Sequence, residues 1–208
     1  MENKNTRLYL VRHAESESNS SGTYTGWGDV DLSEKGVMQA KMGANFFKGI
    51  DVENVYASTL KRAYRSAELI FGENRQVKKM DEFKELNVGL FETRTHGQLL
   101  EIYPELYRNW VNDPTTTTPP EGESIQEYHA RVTDGLNDVL AENIGKSAVI
   151  VSHGGVIRSF VVHTLNMNLK DIWRIKVDNM SVTIVEYMGS RKSLMKLNET
   201  CHLKEGVA

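Results

Sequence analysis

Cysteine is almost absent from this chain, because Cys201 is the only one among 208 residues. A disulfide framework within the chain is therefore excluded, and we expect a cytoplasmic protein, since structural disulfides concentrate in secreted proteins. Long apolar runs are absent as well, and none approaches the roughly 20 residues of a membrane-spanning helix. The polar residues 1–5 lead straight into the first apolar stretch, so we expect neither a signal peptide nor a membrane partner.

A basic excess is also missing. The chain has 25 Lys and Arg against 28 Asp and Glu, for a formal net charge of -3, which disfavours binding to a nucleic acid polymer. No Gly-x-x-x-x-Gly-Lys-Ser/Thr loop is present, which argues against phosphoryl transfer of the P-loop kind. The length and the 39% hydrophobic content suit a globular protein, and we expect residues 1–208 to form a single domain. The oligomeric state is left open, with a homodimer as one option.

An apolar run at residues 8–11 ends abruptly on Arg12 and His13. Such a run predicts a buried strand of an α/β sheet. In these sheets, ligand-binding residues collect at the carboxyl ends of the strands. A lone Arg-His pair at a strand end is most often a solvated turn, so this pair gains its interest from residues elsewhere in the chain.

Two further strands are also predicted to end on polar residues. Residues 52–57 form a short strand that ends on Ser58, which we expect to cap the following helix. Arg62 then lies in the first turns of that helix, where backbone N–H groups and a guanidinium can meet an anion. Residues 147–151 form the clearest buried strand, and His153 follows it directly, before glycines that let a ligand approach a helix start.

Strands and helices alternate through most of the chain, which predicts an α/β fold, a three-layer sandwich with a mostly parallel sheet. Residues 90–122 contain two short helices broken at Pro104 and then a Pro/Thr loop, and we expect them to form a small helical cap-like insertion. The other predicted elements are a polar loop at 14–31, a helix capped by Ser33 and ended by Gly49, a weak strand within 77–86, a long helix that Ser124 opens, and a hairpin of strands 182–187 and 193–197.

The three strand ends bring Arg12 with His13, Arg62 and His153 to one sheet edge. Two arginines and two helix N-termini around imidazoles favour a dianion, most economically a phosphoryl group. The arginines also disfavour a charged imidazolium, so a histidine there can stay a neutral nucleophile. Its nitrogen can take a phosphoryl group and pass it to water, provided that an acid protonates the leaving alkoxide.

These motifs resemble those of the histidine phosphatase superfamily, which includes the cofactor-dependent phosphoglycerate mutases. The resemblance extends from about residue 7 to residue 187, and the motifs occur in the family's order. Two departures, Ala14 for a glycine and Thr59 for a proline, remove no catalytic atom. The matching stretches are residues 10–16 with Asn19 downstream, 25–36, 58–67 and 151–155, together with Glu85 four residues before Gly89.

The resemblance implies a phosphoglycerate mutase-like fold of the small phosphatase branch, and it assigns roles to residues. His13 carries the phosphoryl group during turnover, and Glu85 is the general acid that protonates the leaving oxygen. Neither a metal nor a cofactor is implied. The other implied site residues are Arg12, Arg62 and His153 around the phosphoryl group, Asn19 and Gly154 beside them, and Thr25 and Gly26 at the far end of the substrate.

We therefore predict a phosphomonoesterase of the histidine acid phosphatase type, whose partner is a small phosphorylated metabolite. The residues after Glu85 look like the shorter phosphatase version of the motif, and Arg94 and Arg108 are the only arginines of residues 90–122. Hydrolysis is therefore favoured over transfer to a second phosphorylated substrate. The Thr25 loop keeps a cofactor-dependent phosphoglycerate mutase open as an alternative.

Two other classes of protein fit parts of the pattern. A metallohydrolase would use His13, His153 and Glu85 as ligands, but two adjacent arginines would repel a divalent cation. A non-catalytic module that binds a phosphorylated ligand would retain the arginines and lose the chemistry. Because the histidines, an arginine clamp and the acid are all present, we favour the enzyme.

Overall fold

The computed structural model describes residues 5–204, so residues 205–208 and residues 1–4, on which the signal-peptide expectation falls, lie outside the described part. Strands and helices alternate as predicted. The strands are β1 (Thr6–Arg12), β2 (Asn54–Ser58), β3 (Val77–Met80), β4 (Ser147–Ser152), β5 (Val182–Met188) and β6 (Arg191–Glu199). The helices are α1 (Glu17–Ser21), α2 (Glu34–Phe46), α3 (Lys61–Phe71), α4 (His96–Ile102), α5 (Pro104–Asn112), α6 (Ile125–Glu142) and α7 (Gly154–Leu165). None of the helices within residues 5–204 is long and apolar enough to cross a membrane.

The six strands form one sheet in the order β3-β2-β4-β1-β5-β6. The first four pair in parallel, whereas β5 and β6 add an antiparallel hairpin at one edge. Arg12 of β1 pairs with Ser152 of β4, and Ala57 of β2 pairs with Val151 of β4, so three parallel strands end at nearly the same level. The predicted α/β fold with a mostly parallel sheet is confirmed.

Helices cover both faces of the sheet. Successive side chains of a strand point to opposite faces, so each buried strand contributes apolar side chains to both. Leu8 and Leu10 of β1 face a large core that α6 and α7 cover, whereas Tyr9 and Val11 face a smaller core under α2 and α3. The strands are therefore apolar on both sides, which is why β1 and β4 are nearly continuous apolar runs in the sequence. The result is the predicted three-layer sandwich.

The expected cap-like segment, residues 90–122, contains α4 and α5. Thr95 begins α4 with a capping box, and Pro104 occupies the first turn of α5, where its missing N–H costs nothing. The segment packs through buried side chains that join the larger core beneath it, namely Phe91, Leu99, Tyr107 and Trp110.

Three element predictions differ from the structure. Ser58 does not cap a helix: it is the last residue of β2, and α3 begins at Lys61 after an extended Leu60. The Ser58 hydroxyl is instead used in the site described below. The other two differences are a short helix within the predicted loop 14–31 and an α2 that ends at Phe46 ahead of the turn residue Gly49. The weak strand expected within 77–86 is β3.

Candidate active site

Two histidines follow directly on the neighbouring strands β1 and β4. Because Arg12 pairs with Ser152 in the sheet, the next residues, His13 and His153, leave it side by side, with ring centroids 5.1 Å apart. The His13 N–H donates to the Ser152 carbonyl over 2.7 Å, which extends the pairing by one step. The structure thus brings together the two histidines that the sequence places at separate strand ends.

The His13 ring is buried, and its hydrogen bond fixes the position of its proton. Nδ1 lies 2.7 Å from the carbonyl oxygen of Ala14, which can only accept, so Nδ1 carries the hydrogen. Burial, followed by the positive charges of Arg62 and Arg12, holds the pKa of His13 well below its ordinary value. The ring is therefore neutral at physiological pH, and Nε2 keeps a lone pair for a nucleophilic attack.

Two guanidinium groups lie beside this ring, and neither forms an ion pair with a carboxylate of the described residues. Arg62 is 2% exposed and donates to the carbonyls of Gly28 and Gly26, each over 2.8 Å. Arg12 donates from Nη1 to the Val177 carbonyl over 2.7 Å, and its buried Nε has no partner among the described residues. Because backbone carbonyls neutralise no charge, the two cations create a field that favours an anion.

His153 is fully buried and presents a second unpartnered donor. Its Nε2 lies 2.8 Å from the Ser58 hydroxyl, which already accepts the Leu60 N–H over 3.2 Å. No other acceptor within residues 5–204 bonds this buried hydroxyl, so we infer that its hydrogen is directed to Nε2 and that the proton of the neutral ring lies on Nδ1. Burial and then Arg62 hold the pKa of His153 well below its ordinary value. Nδ1 has no partner within residues 5–204 and can donate to an anion beside His13.

Glu85 is held by three donors from three segments of the chain. Its Oε1 accepts from the Tyr128 hydroxyl over 2.9 Å and from the Leu86 N–H over 3.0 Å, and its Oε2 accepts from the Gly155 N–H over 3.2 Å. Burial, and then the charge of Glu85, hold the pKa of Tyr128 well above its ordinary value, so the phenol stays a donor. A Cβ at Gly155 would lie 2.3 Å from Oε1, so glycine at this position leaves room for the carboxylate where it stands.

A second carboxylate, that of Glu92, organises the loop that holds Arg62. Its Oε1 accepts the N–H groups of Gly26, Trp27 and Gly28 over 3.0, 2.6 and 3.2 Å. The carbonyls of Gly26 and Gly28 then point at Arg62. A negative charge on one side of the loop and a positive charge on the other therefore orient the same peptide groups.

The site opens into two cavities that share Glu85, Tyr24 and Thr25. The polar cavity, about 320 Å³, is lined by Arg12, His13, Asn19, Arg62 and Glu85, among others. The aromatic cavity, about 380 Å³, is lined by Leu86, Val88, Trp110, Val111, Arg158 and Trp173 beside the shared residues. Glu85 thus stands between a cationic chamber and a largely apolar one.

Asn19, Thr25, Gly26 and Gly154 were predicted to bind the substrate. Asn19 lines the polar cavity, where its Oδ1 accepts from Asn179, and Thr25 lines both cavities. Gly26 is engaged with Arg62 and Glu92, and Gly154 lies where an added Cβ would be 3.5 Å from the Arg12 Nε. Their contacts with a substrate stay predictions.

The sequence interpretation missed Glu92, Tyr128 and Arg131. Tyr128 lies among the buried, otherwise apolar side chains of α6, and its hydroxyl is the one polar side-chain group on that buried face. Arg131, one turn further along α6, donates to the carbonyls of residues 82, 84 and 85 and so fixes the segment that carries Glu85. No cluster of three or more His, Cys, Asp or Glu side chains within residues 5–204 is arranged to hold a metal ion.

Known proteins resemble this chain over nearly its whole length. Phosphoserine phosphatase 1 of Hydrogenobacter thermophilus is 36% identical over 200 residues, which cover 96% of this chain and 95% of that protein. The adenosylcobalamin/alpha-ribazole phosphatase of Salmonella typhimurium is 31% identical over 92% of this chain and 96% of that protein.

A solved structure and a family profile also match this chain. The solved structure of Bacillus stearothermophilus YhfR matches with a TM-score of 0.90 and 25% identity, over 96% of this chain and 100% of that one. The profile of the histidine phosphatase superfamily (branch 1) matches residues 8–200. These residues include the sheet except for the first two residues of β1, together with both histidines, both arginines and Glu85. The chain therefore belongs to branch 1 of the histidine phosphatase superfamily.

Proposed function

We propose that this protein is a phosphatase that hydrolyses a small phosphomonoester through a phosphohistidine on His13. One observation carries the proposal: two guanidinium groups, which form no ion pair with a carboxylate of residues 5–204, flank a neutral imidazole whose Nε2 has no hydrogen-bond partner in that range. Such a chamber binds a dianion and holds its phosphorus next to a nucleophile. We further propose that the enzyme is of the histidine acid phosphatase type.

The proposed reaction has two steps. In the first, Nε2 of His13 forms a bond to phosphorus as the P–O bond to the leaving alcohol breaks, and the carboxylic acid form of Glu85 gives that oxygen a proton. In the second, Glu85 takes a proton from water, whose oxygen attacks phosphorus and displaces Nε2 as inorganic phosphate forms. Arg12, Arg62 and the Nδ1 proton of His153 offset the charge on the phosphoryl oxygens in both steps.

The similarity to a phosphoserine phosphatase and to an alpha-ribazole phosphatase supports a phosphatase that acts on a small phosphorylated substrate. Hydrolysis is favoured over mutase transfer because the two arginines of residues 90–122 do not line either cavity. Arg94 donates to the backbone carbonyls of Leu90 and Glu92, and Arg108 is exposed.

Release of inorganic phosphate from a panel of phosphomonoesters tests this function, with labelled substrate and unlabelled 3-phosphoglycerate present in one arm. We expect phosphate release without label in a bisphosphorylated product, and loss of release in His13→Ala. Label transfer faster than hydrolysis would establish the mutase instead. Tight binding of phosphate esters without any turnover would establish the binding module.

A further inference from the structure

The aromatic cavity has a composition that is unusual for the surroundings of a phosphoryl site. Most of its walls are apolar side chains of Leu86, Val88, Trp110, Val111 and Trp173. The Trp110 and Trp173 rings pack against one another with centroids 5.3 Å apart. An aromatic group prefers such walls, because offset and edge-to-face contacts add to the burial of its surface.

The position of Glu85 identifies what enters this cavity. The group that protonates the leaving oxygen must lie within hydrogen-bond reach of it. Glu85 lines both cavities, with the phosphoryl-binding residues Arg12 and Arg62 in the polar one. A phosphomonoester bound there places its leaving alcohol on the other side of Glu85, within the aromatic cavity.

Among the described residues, one cation, Arg158, lines the aromatic cavity. Its Nε donates to the Ile175 carbonyl over 2.8 Å, and its guanidinium carbon lies 5.8 Å from the centroid of the Trp173 ring. It forms no ion pair with any carboxylate of residues 5–204, and its two Nη atoms donate no hydrogen bond within that part. The Nε hydrogen bond therefore holds the guanidinium in place, and its two Nη atoms remain available to bind an anion.

The size of the cavity also bears on the occupant. A dry apolar cavity of about 150 Å³ accommodates benzene, whereas this one measures about 380 Å³. A three-carbon zwitterion would leave most of the apolar wall uncovered. Its ammonium would also find one carboxylate among the described lining residues, that of Glu85, which already accepts three hydrogen bonds and which the proposed mechanism uses as the acid.

We propose that the preferred substrate carries an aromatic leaving group with an anionic substituent, a carboxylate or a second phosphate, which Arg158 binds. The ring packs between the tryptophans and the apolar side chains, and the anion pairs with the free side of the guanidinium. This inference rests on the proposed phosphatase function and specifies its substrate class.

Four primary alkyl phosphates test it: 4-carboxybenzyl phosphate, benzyl phosphate, 4-(trimethylammonio)benzyl phosphate and O-phosphoserine. We expect kcat/KM to fall in that order for the first three, with the carboxylate raising it roughly tenfold over benzyl phosphate, as a charged hydrogen bond would. Phosphoserine is expected below benzyl phosphate. A value for phosphoserine equal to or above that of the carboxybenzyl ester would overturn the inference.

Two variants locate the effect in the cavity. Arg158→Gln should abolish the roughly tenfold ratio between the carboxybenzyl and benzyl esters, whereas Arg174→Gln, at an exposed arginine outside the lining, should keep it. Val111 is 40% exposed, so Val111→Glu tests the same wall without disturbing the core and should reverse the ratio. An unchanged ratio in both variants, or an equal loss on all esters in Arg158→Gln, contradicts the inference. Absence of turnover on every ester would instead remove the phosphatase function itself.

Discussion

At the scale of single residues, the hydrogen bonds of His13, His153 and Glu85 determine which atom of each side chain is available to a ligand. His13 turns its hydrogen towards the Ala14 carbonyl and keeps Nε2 free, whereas Ser58 leaves His153 as a donor at Nδ1. Two imidazoles whose pKa values are both lowered thus offer different groups to a ligand, a lone pair on His13 and an N–H donor on His153. The difference comes from one backbone carbonyl and one hydroxyl.

The role of Glu85 gives a residue-scale prediction that depends on the leaving group. Glu85→Gln keeps the shape of the side chain but cannot protonate an alkoxide, so kcat on benzyl phosphate should fall by about 100-fold or more. On p-nitrophenyl phosphate, whose phenolate leaves without a proton, the loss should be much smaller. Steady-state kinetics on both esters measure the difference.

Gly155 offers an independent check on that assignment. Gly155→Ala places a methyl group 2.3 Å from the Glu85 Oε1, so the carboxylate must move, and the loss should again be larger for the alkyl ester. At Gly154 the nearest atoms to an added Cβ are 3.5 Å away, so Gly154→Ala should cost much less. Equal losses on both esters in Glu85→Gln and Gly155→Ala would argue that Glu85 is not the acid.

At the scale of elements, the short loop of residues 26–28 connects a carboxylate to an arginine. Glu92 binds three successive N–H groups of this loop, and two of its carbonyls bind Arg62 at the start of α3. Glycine is needed within the loop, because a Cβ at Gly26 would lie 2.3 Å from the Leu86 carbonyl oxygen. We infer that Glu92 is a positioning residue that acts through Arg62.

Glu92→Gln tests that inference. One amide oxygen cannot replace a charged acceptor for three donors, so we expect a loss of about 1–3 kcal/mol in the free energy of unfolding. We also expect the inhibition constant of inorganic phosphate to rise roughly tenfold, with similar losses on alkyl and p-nitrophenyl esters. Glu73→Gln, at an exposed residue after α3, is the control. Lower stability with an unchanged phosphate inhibition constant would leave Glu92 a purely structural residue.

The sequence predicted the elements that carry a strong local pattern. Strands β1 and β4 are apolar on both faces and stop on histidines, so both the sheet and its functional edge follow from a short stretch of chain. Ser58 was misassigned because a serine after a strand usually caps a helix, and its bond to His153 joins residues 95 positions apart. Glu92 reaches the 26–28 loop across more than 60 residues, and single-sequence periodicity contains no signal for such a contact.

At the scale of the whole molecule, burying two neutral histidines makes stability depend on pH. Their pKa values are lowered in the folded protein, so the unfolded chain binds more protons just below about pH 6.5. Stability therefore rises with pH through that region and falls as the pH drops below it. Each histidine contributes a slope of at most about 1.4 kcal/mol per pH unit.

Denaturant unfolding between about pH 7 and about pH 5 measures this slope, and His13→Asn should flatten it relative to the control His96→Asn at an exposed position. Carboxylates affect the pH dependence of stability only at lower pH. Burial raises the pKa of Asp31, but bonds to Lys61 and Arg65 outweigh it and lower that pKa to about 2, so its contribution is lost only below its ordinary value of 3.8. A wild-type slope equal to that of His13→Asn would contradict the burial of a neutral ring.

The most direct test of the central claim is to trap the phosphoryl group on the protein. Wild-type protein is mixed with phosphorus-labelled ester and quenched in alkali within a single turnover, because phosphohistidine survives alkali and is lost in acid. The account predicts alkali-stable, acid-labile label on the peptide that contains His13, and none in a folded His13→Asn variant. Hydrolysis by the wild type without such label, or label that persists in His13→Asn, would contradict it.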